Sequence, residues 1–263
     1  MLNSKRVGLL GANGFVGNTV CTIAPEIQRF TRQNMYDLLD VDIDVLIISA
    51  VSAEKWRANK DPINDMENIK KLIHFLEKLS IKNAILISTI DVVGPNKLFF
   101  EDLTETEFSS EPYGFNRGLL EKRIQNLFAN HHILRLPGLF GPGLKKNLLF
   151  DLINNERVNL NSTEDSYQYL YAPKILELIE ELYISGERIL HASTEPVTAK
   201  EVIQIASESL KRDIQFNENL NPTSIRYEMR TRYRKSGFVM SRLQVLADMR
   251  EWFKSEQDKI FNQ

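Results

Sequence analysis

Short, largely apolar runs recur along the first half of the chain, and each stops at a glycine, a proline or a small residue. Val7–Leu10 stops at Gly11, Val45–Ile48 at Ser49-Ala50, Ala84–Ile87 at Ser88-Thr89, and Ile133–Leu136 at Pro137-Gly138. Such runs, without polar alternation, predict strands buried on both faces of a parallel sheet. A weaker strand is predicted over Ile27–Thr31. Between the runs the pattern changes to a helical period. Helices are predicted over Phe15–Ile23, over 62–79 and over Tyr113–Ala129. In the second of these, Asp61-Pro62 opens the helix, and Ile63, Met66, Ile69, Leu72, Ile73 and Leu76 recur at helical spacing. Residues 95–111 are acidic and irregular, a loop. Alternating strands and helices predict an α/β fold, a doubly wound parallel Rossmann sheet.

After about residue 145 the alternation ends. Helices over 146–156, 173–185, 198–211 and 241–260 are separated by short segments such as Arg188–His191. The expected division is a Rossmann domain over 1–145 and a smaller mixed α/β C-terminal lobe over 146–263, with room for the two to interleave.

Composition narrows the function classes. The chain has 263 residues, 43% hydrophobic and 26% charged, which is ordinary for a globular protein with a substantial core. A formal charge of −2 gives no electrostatic case for nucleic acid as a partner. The single cysteine, Cys21, excludes an internal disulfide framework and predicts a cytoplasmic protein. No apolar run approaches the roughly 20 residues that span a bilayer, and the N-terminus leads straight into a strand without the pattern of a signal peptide.

Two constellations carry candidate chemistry. Gly11-Ala12-Asn13-Gly14-Phe15-Val16-Gly17 lies between a strand and a helix. Glycines there allow a tight turn and close approach of a pyrophosphate, and the following helix offers free N–H groups and a partial positive charge. A tight turn without a ligand is the plain alternative. The second constellation is Ser88-Thr89 at a strand end together with Tyr113 and Arg117, one turn apart at a helix start. A cation there favours the phenolate, and the threonine hydroxyl would position an oxygen beside the phenol. The alternative is a helix-surface pair. His74, His131, His132 and His191 have no metal-ligand spacing, so no metal is expected.

In order along the chain, these segments resemble the extended short-chain dehydrogenase/reductase family, the NAD-dependent epimerase/dehydratase group that acts mostly on nucleotide sugars. Residues 11–17 resemble its GxxGFxG fingerprint, and Asp44–Val51 its DVVIHLAA strand. Asn68–Leu76 resembles its NxxGTxNLL helix without the glycine and threonine. Ser88–Gly94 is similar to SSxxVYG, Tyr113–Glu121 to YGxSKxxxE, Leu134–Gly143 to LRxxNVYGPG, and Tyr233–Phe238 to PRKxLD. The resemblance covers nearly the whole chain, most specifically its first 143 residues.

The resemblance implies roles. Thr89, Tyr113 and Arg117 would be the catalytic trio, with Tyr113 as general acid/base. Arg117 stands where the family has a lysine that holds the nicotinamide ribose, and a guanidinium cannot pass a proton as an ammonium can. Gly11, Asn13, Gly14, Phe15, Val16 and Gly17 would hold the pyrophosphate. Ala50 and Val51 would line the adenosine side, and Pro137 the nicotinamide pocket, with Tyr113 and Arg117 also touching the cofactor. Gly138 replaces an asparagine that contacts substrate in many relatives. The segment before Val45 is too short for the family's additional strand and helix, so the adenine pocket is expected to be pared down, with Asp37 and Asp40 as stand-ins or as solvated loop charges. Family members often dimerise through the two helices that correspond to 62–79 and 113–129, which makes a homodimer an expectation.

Cofactor choice turns on Phe30-Thr31-Arg32. No acid stands there to accept from a ribose 2′-OH, and Arg32, or Arg29, would pair a 2′-phosphate. NADP is therefore favoured, with NAD as the alternative and surface arginines as the plain reading. The run 226–235 holds four arginines and a lysine. In the family this lobe supplies an arginine to the substrate diphosphate, a role for Arg226 or Arg234, with a solvated basic segment as the alternative. Thr89 is followed by Ile90-Asp91 and not by the Asp-Glu pair of dehydratases. The expected function is thus reduction of a keto-sugar nucleotide, with epimerisation or a non-catalytic dinucleotide-binding role as alternatives.

Overall fold

In the computed structural model of the chain, the apolar runs of the first half lie side by side in one six-stranded parallel sheet. The structure describes residues 5–154, 158–219 and 223–261. The strands are β1 (Val7–Leu10), β2 (Gln28–Phe30), β3 (Val45–Ile48), β4 (Asn83–Thr89), β5 (Asn130–Leu136) and β10 (Ile189–His191), in the order β10-β5-β4-β3-β1-β2. The register pairs Leu9 with Ile47, Ile47 with Ile85, and Ile87 with Leu134. This is the predicted doubly wound arrangement, with order reversing beside β1.

The helices of this part are α1 (Phe15–Ile23), α2 (Lys55–Lys60), α3 (Pro62–Leu76), α4 (Pro112–Leu127) and α6 (Ile175–Ser185). Leu46 and Ile48 of β3 and Leu86 of β4 share a core with Ile69, Leu72 and Leu76 of α3 and Leu120 and Ile124 of α4. Val45 and Ile47 point the opposite way along β3 and are also fully buried, so the other face is covered as well. There α1 and α6 pack together, α1 also against β1 and α6 against β5. Asp61 caps α3 by accepting from the Asn64 N–H, and Pro62 occupies its first turn. The predicted end at 79 is three residues late. The six-residue α2 was not predicted, being too short to show a period.

The chain divides into two compact units. One takes Met1–Gly94, Phe100–Leu136 and Pro173–Ala192, the other Pro95–Phe99, Pro137–Ala172 and Ser193–Gln263. The expected boundary at 145/146 assigned 173–192 to the C-terminal lobe. Those residues belong to the first unit because β10 pairs with β5 and completes the sheet edge. The second unit holds three two-stranded ribbons. They pair β6 (Gly138–Phe140) with β9 (Tyr169–Tyr171), β7 (Val158–Leu160) with β12 (Phe216–Glu218), and β8 (Ser166–Tyr167) with β11 (Val197–Thr198). Its helices are α5 (Leu148–Ile153), α7 (Ala199–Leu210) and α8 (Arg242–Phe261). Phe140 packs on Tyr171 and Trp252, with ring centroids 5.5 Å apart in each pair. Part of the helix predicted over 146–156 lies outside the described residues. Among the described residues, no helix is long and apolar enough to cross a membrane.

Candidate active site

The glycine turn follows from three different space requirements. Gly11 has φ +98°, and a side chain there would strike the Ser49 carbonyl oxygen at the end of β3. A side chain at Gly17 would strike the Gly11 carbonyl oxygen. Gly14 differs: the nearest neighbour to an added Cβ is the Gly11 carbonyl oxygen at 3.3 Å, a tight contact rather than a collision. It is exposed, forms the N-cap of α1, and offers no side-chain cap. The first N–H groups of α1, on Phe15, Val16 and Gly17, therefore emerge at an uncapped helix start. Asn13 is exposed beside them. Bare N–H groups and space left open at Gly14 fit a pyrophosphate. Ala50 and Val51, both half-buried, follow directly on β3 and pack against the core.

Of the two arginines near the end of β2, Arg29 is occupied: its Nη2 donates to the Cys21 carbonyl at 2.6 Å. Arg32 is exposed and lines a polar cavity of about 340 Å³ with Ser52, Arg57, Asp61, Asn64 and Asn68. Asp37 lies in a 3-10 turn over Met35–Leu39, and Asp40 follows it; both are exposed.

Thr89 ends β4 and Tyr113 stands in the first turn of α4. Their approach depends on Gly114, where any side chain would collide with the Asp91 carbonyl oxygen. Asn59 of α2 accepts the Tyr113 N–H at 2.9 Å and donates to Glu111 at 2.7 Å, so α2 caps the start of α4. Tyr113 is buried, and its phenol is pushed up to about 12. Burial is the main cause; Arg117 pulls it down, Asp91 and Asp65 push it up, and a hydrogen bond with Thr89 pulls it down. The cation thus acts in the expected direction, but desolvation prevails.

Arg117 is brought onto Tyr113, its guanidinium carbon 4.0 Å from the ring centroid. Its nitrogens are committed elsewhere. Nη1 and Nη2 both bond Asp65 of α3, the latter at 3.0 Å, and Nη2 also donates to the Ser52 carbonyl at 2.6 Å. Asn116 donates to the same aspartate at 2.8 Å. The sequence reading missed Asp65, Ser52 and Asn59, each more than 50 residues away in the chain from its partner on α4. It also missed the pair of Lys55 and Asp91, 2.7 Å apart. The Asp61-Pro62 helix start was the sole local sign that a carboxylate of this helix would stand near.

Beneath the site lies a buried polar network. Arg135 of β5 and Glu121 of α4 are 2% and 1% exposed, and the guanidinium forks onto the carboxylate at 2.6–3.2 Å. Ser88 donates to Glu121, and Arg135 Nη1 donates to the Glu101 carbonyl at 3.0 Å and to His191 Nε2 at 2.9 Å. Because a guanidinium only donates, His191 accepts through Nε2.

Pro137, Arg226 and Arg234 belong to the second unit. Pro137 follows β5 directly. At Gly138 an added Cβ would meet the Tyr169 ring at 2.9 Å, so Tyr169 fills the space an asparagine would need. Arg226 is exposed, and its backbone exchanges hydrogen bonds with Asn96. Arg234 is half-buried and donates to the Tyr233 carbonyl at 3.1 Å. Between them, Arg230 pairs with Glu228 and lies over Phe238, so the basic run is not uniformly solvated. Among the described residues, no group of His, Cys, Asp and Glu is arranged to hold a metal.

No family model and no curated protein sequence matches the chain. Solved structures do. The UDP-N-acetylglucosamine 4-epimerase from Methanobrevibacter ruminantium, in complex with UDP-N-acetylmuramic acid, aligns over 95% of this chain and 97% of its own, with a TM-score of 0.73 and 18% identity. A dTDP-glucose 4,6-dehydratase from Streptomyces venezuelae, holding NAD, aligns over 96% and 98%, with a TM-score of 0.76 and 14% identity. The dTDP-4-dehydrorhamnose reductase from Yersinia enterocolitica aligns over 96% and 99%, with a TM-score of 0.75 and 12% identity. The chain therefore has the fold shared by these structures of a nucleotide-sugar epimerase, a dehydratase and a reductase.

Proposed function

We propose that the chain is an NAD(P)-dependent oxidoreductase of nucleotide sugars and that it reduces a keto-sugar. The observation that carries this is the placement of the Thr89 hydroxyl and the buried, protonated Tyr113 phenol at the carboxyl edge of the sheet whose β1 ends in the open glycine turn. The uncapped start of α1 would hold the pyrophosphate, with Gly11 and Gly17 shaping the turn and Asn13, Gly14, Phe15 and Val16 facing the group. Bound reduced nicotinamide would supply a hydride. Thr89 would hold the carbonyl oxygen, and Tyr113 would donate a proton to it as the alcohol forms. With its guanidinium committed to Asp65 and Ser52, Arg117 would position the Tyr113 ring rather than clasp ribose. Ala50 and Val51 would border the adenosine, and Pro137 the nicotinamide.

Arg32, with Arg29 occupied, favours NADP over NAD as the preferred cofactor. The second unit would receive the sugar nucleotide, with Arg226 or Arg234 toward its diphosphate, and a homodimer would use α3 and α4. Epimerisation is the second reading, favoured by the epimerase of the same fold. A binding protein without turnover is the third, favoured by the immobilised Arg117.

The test is titration with NADPH and NADH, followed by a panel of keto-sugar nucleotides with nicotinamide absorbance as the readout. Wild type should bind NADPH more tightly, Arg32→Ala should lose that preference, and Gly14→Val should lose binding. Tyr113→Phe should lower turnover by about 10²-fold or more with cofactor affinity nearly intact. Binding without turnover would select the third reading. Unchanged affinity in folded Gly14→Val would remove the dinucleotide site, and wild-type turnover in Tyr113→Phe would remove the acid.

A further inference from the structure

A proton given up by Tyr113 has to be replaced before the next turnover, and the phenol is almost wholly buried. The cation one turn along its helix cannot replace it. A guanidinium stays protonated in proteins, and both terminal nitrogens of Arg117 are bonded to Asp65, one of them also to the Ser52 carbonyl. Another row of groups leads the opposite way. Thr89 is the hydrogen-bond partner of the phenol, and its Oγ1 lies 3.5 Å from Asp91 Oδ2. The other oxygen of Asp91 is held by Lys55 Nζ at 2.7 Å, and the Lys55 side chain is 39% exposed. Asp91 is fixed in register with Thr89, since its N–H donates to Thr89 Oγ1 at 3.1 Å. The absence of a side chain at Gly114 then lets α4 close on the Asp91 carbonyl. The row begins at a buried phenol and ends on an ammonium that meets water.

We infer that Asp91 and Lys55 form the proton route that recharges Tyr113, in place of the cation on its own helix. The inference rests on the proposed reduction. Each step is a proton transfer without change of oxidation state. The Lys55 ammonium gives a proton to Asp91 Oδ1, and rotation of the neutral carboxyl turns that proton toward Thr89. Asp91 gives it to Thr89 Oγ1 as the Thr89 O–H gives its own to the Tyr113 phenolate, and water reprotonates the amine. One solvent proton enters, and one phenol is restored.

The experiment is stopped-flow oxidation of the reduced cofactor by wild type, Lys55→Met, Lys55→Arg and Asp91→Asn, with the keto-sugar nucleotide found in the panel. The first turnover uses the proton already on Tyr113. Both lysine variants should therefore show a first-turnover burst at the wild-type rate, while later turnovers slow by about tenfold or more in all three variants. Methylammonium should restore Lys55→Met in proportion to its concentration. Lys55→Arg keeps the ion pair, and with it the local fold, yet should stay slow because its cation does not release a proton. Wild-type steady turnover in either lysine variant overturns the route. So does a burst slowed in step with later turnovers and unresponsive to amine, which is the signature of a structural role. Absence of any cofactor oxidation by wild type defeats the proposed function and this inference with it. Wild-type turnover with unaffected variants defeats the inference alone.

Discussion

Arg117 and Asp65 have side chains 5% and 9% exposed, so neither charge is solvated and each depends on the other. Removing the guanidinium would leave a buried carboxylate with Asn116 as its remaining donor among the contacts described above. Arg117→Met should therefore lower stability by about 3–5 kcal/mol, as when one partner of a buried pair is lost. Arg117→Lys should lose less, since an ammonium reaches the carboxylate but not with the same fork. Combining Arg117→Met with Asp65→Asn should cost less than the two single losses together. Urea denaturation of the four proteins checks this, and strictly additive losses would show that the pair is not coupled. The sequence pattern marked Arg117 as a departure from lysine. It did not reveal the compensating acid, because Asp65 is 52 residues distant and meets Arg117 through helix packing.

At the scale of elements, α4 is held against the sheet by Glu121 clasping Arg135 on β5 and is held at its start by Asn59 of α2. Both clamp residues lie inside stretches that resemble family motifs, Tyr113–Glu121 and Leu134–Gly143, although the resemblance assigned them no role. Glu121 and Arg135 are both buried, and only the packed structure shows that they meet. Glu121→Leu should strand the Arg135 guanidinium in the core and lower stability by about 3–5 kcal/mol. Replacing both residues with apolar side chains should recover part of the loss. Thermal melts of the single and double variants are the measurement; a double variant weaker than the sum of the singles would contradict the pairing.

For the molecule as a whole, two buried phenols, Tyr113 and Tyr169, and the half-buried Tyr167 should weaken the fold at alkaline pH. Tyr113 and Tyr167 are pushed up to about 12, chiefly by burial, and Tyr169 higher still. In the unfolded chain a tyrosine ionises near pH 10. Between about pH 10 and 12 the unfolded state therefore binds fewer protons than the folded one, and stability falls as pH rises. Below about pH 10 this contribution is fully present. Each unit of raised pKa corresponds to about 1.4 kcal/mol, with a smaller share from the half-buried Tyr167. Melting temperatures followed from neutral to alkaline pH should decline more gently in Tyr113→Phe than in wild type. Parallel declines would mean that the Tyr113 phenol is not protected.

What the sequence by itself determined is what local periodicity and chain stereochemistry can encode. Four-residue apolar runs became the whole of β1 and β3 and the cores of the longer strands β4 and β5. Asp61-Pro62 began α3, and a glycine turn between strand and helix left Gly14 open at the head of α1. Thr89 and Tyr113 were marked because each sits at the end of such an element. Tertiary structure alone decided the rest. It drew Ile189–His191 into the first sheet beside β5, and bound Arg117 to Asp65 and Ser52. It also set Asn59 on the Tyr113 N–H and joined Lys55 to Asp91. The physical reason is common to all four. A strand edge, a buried cation or an open helix start fixes what kind of partner is needed, but its place in the chain is chosen by which elements the core brings together.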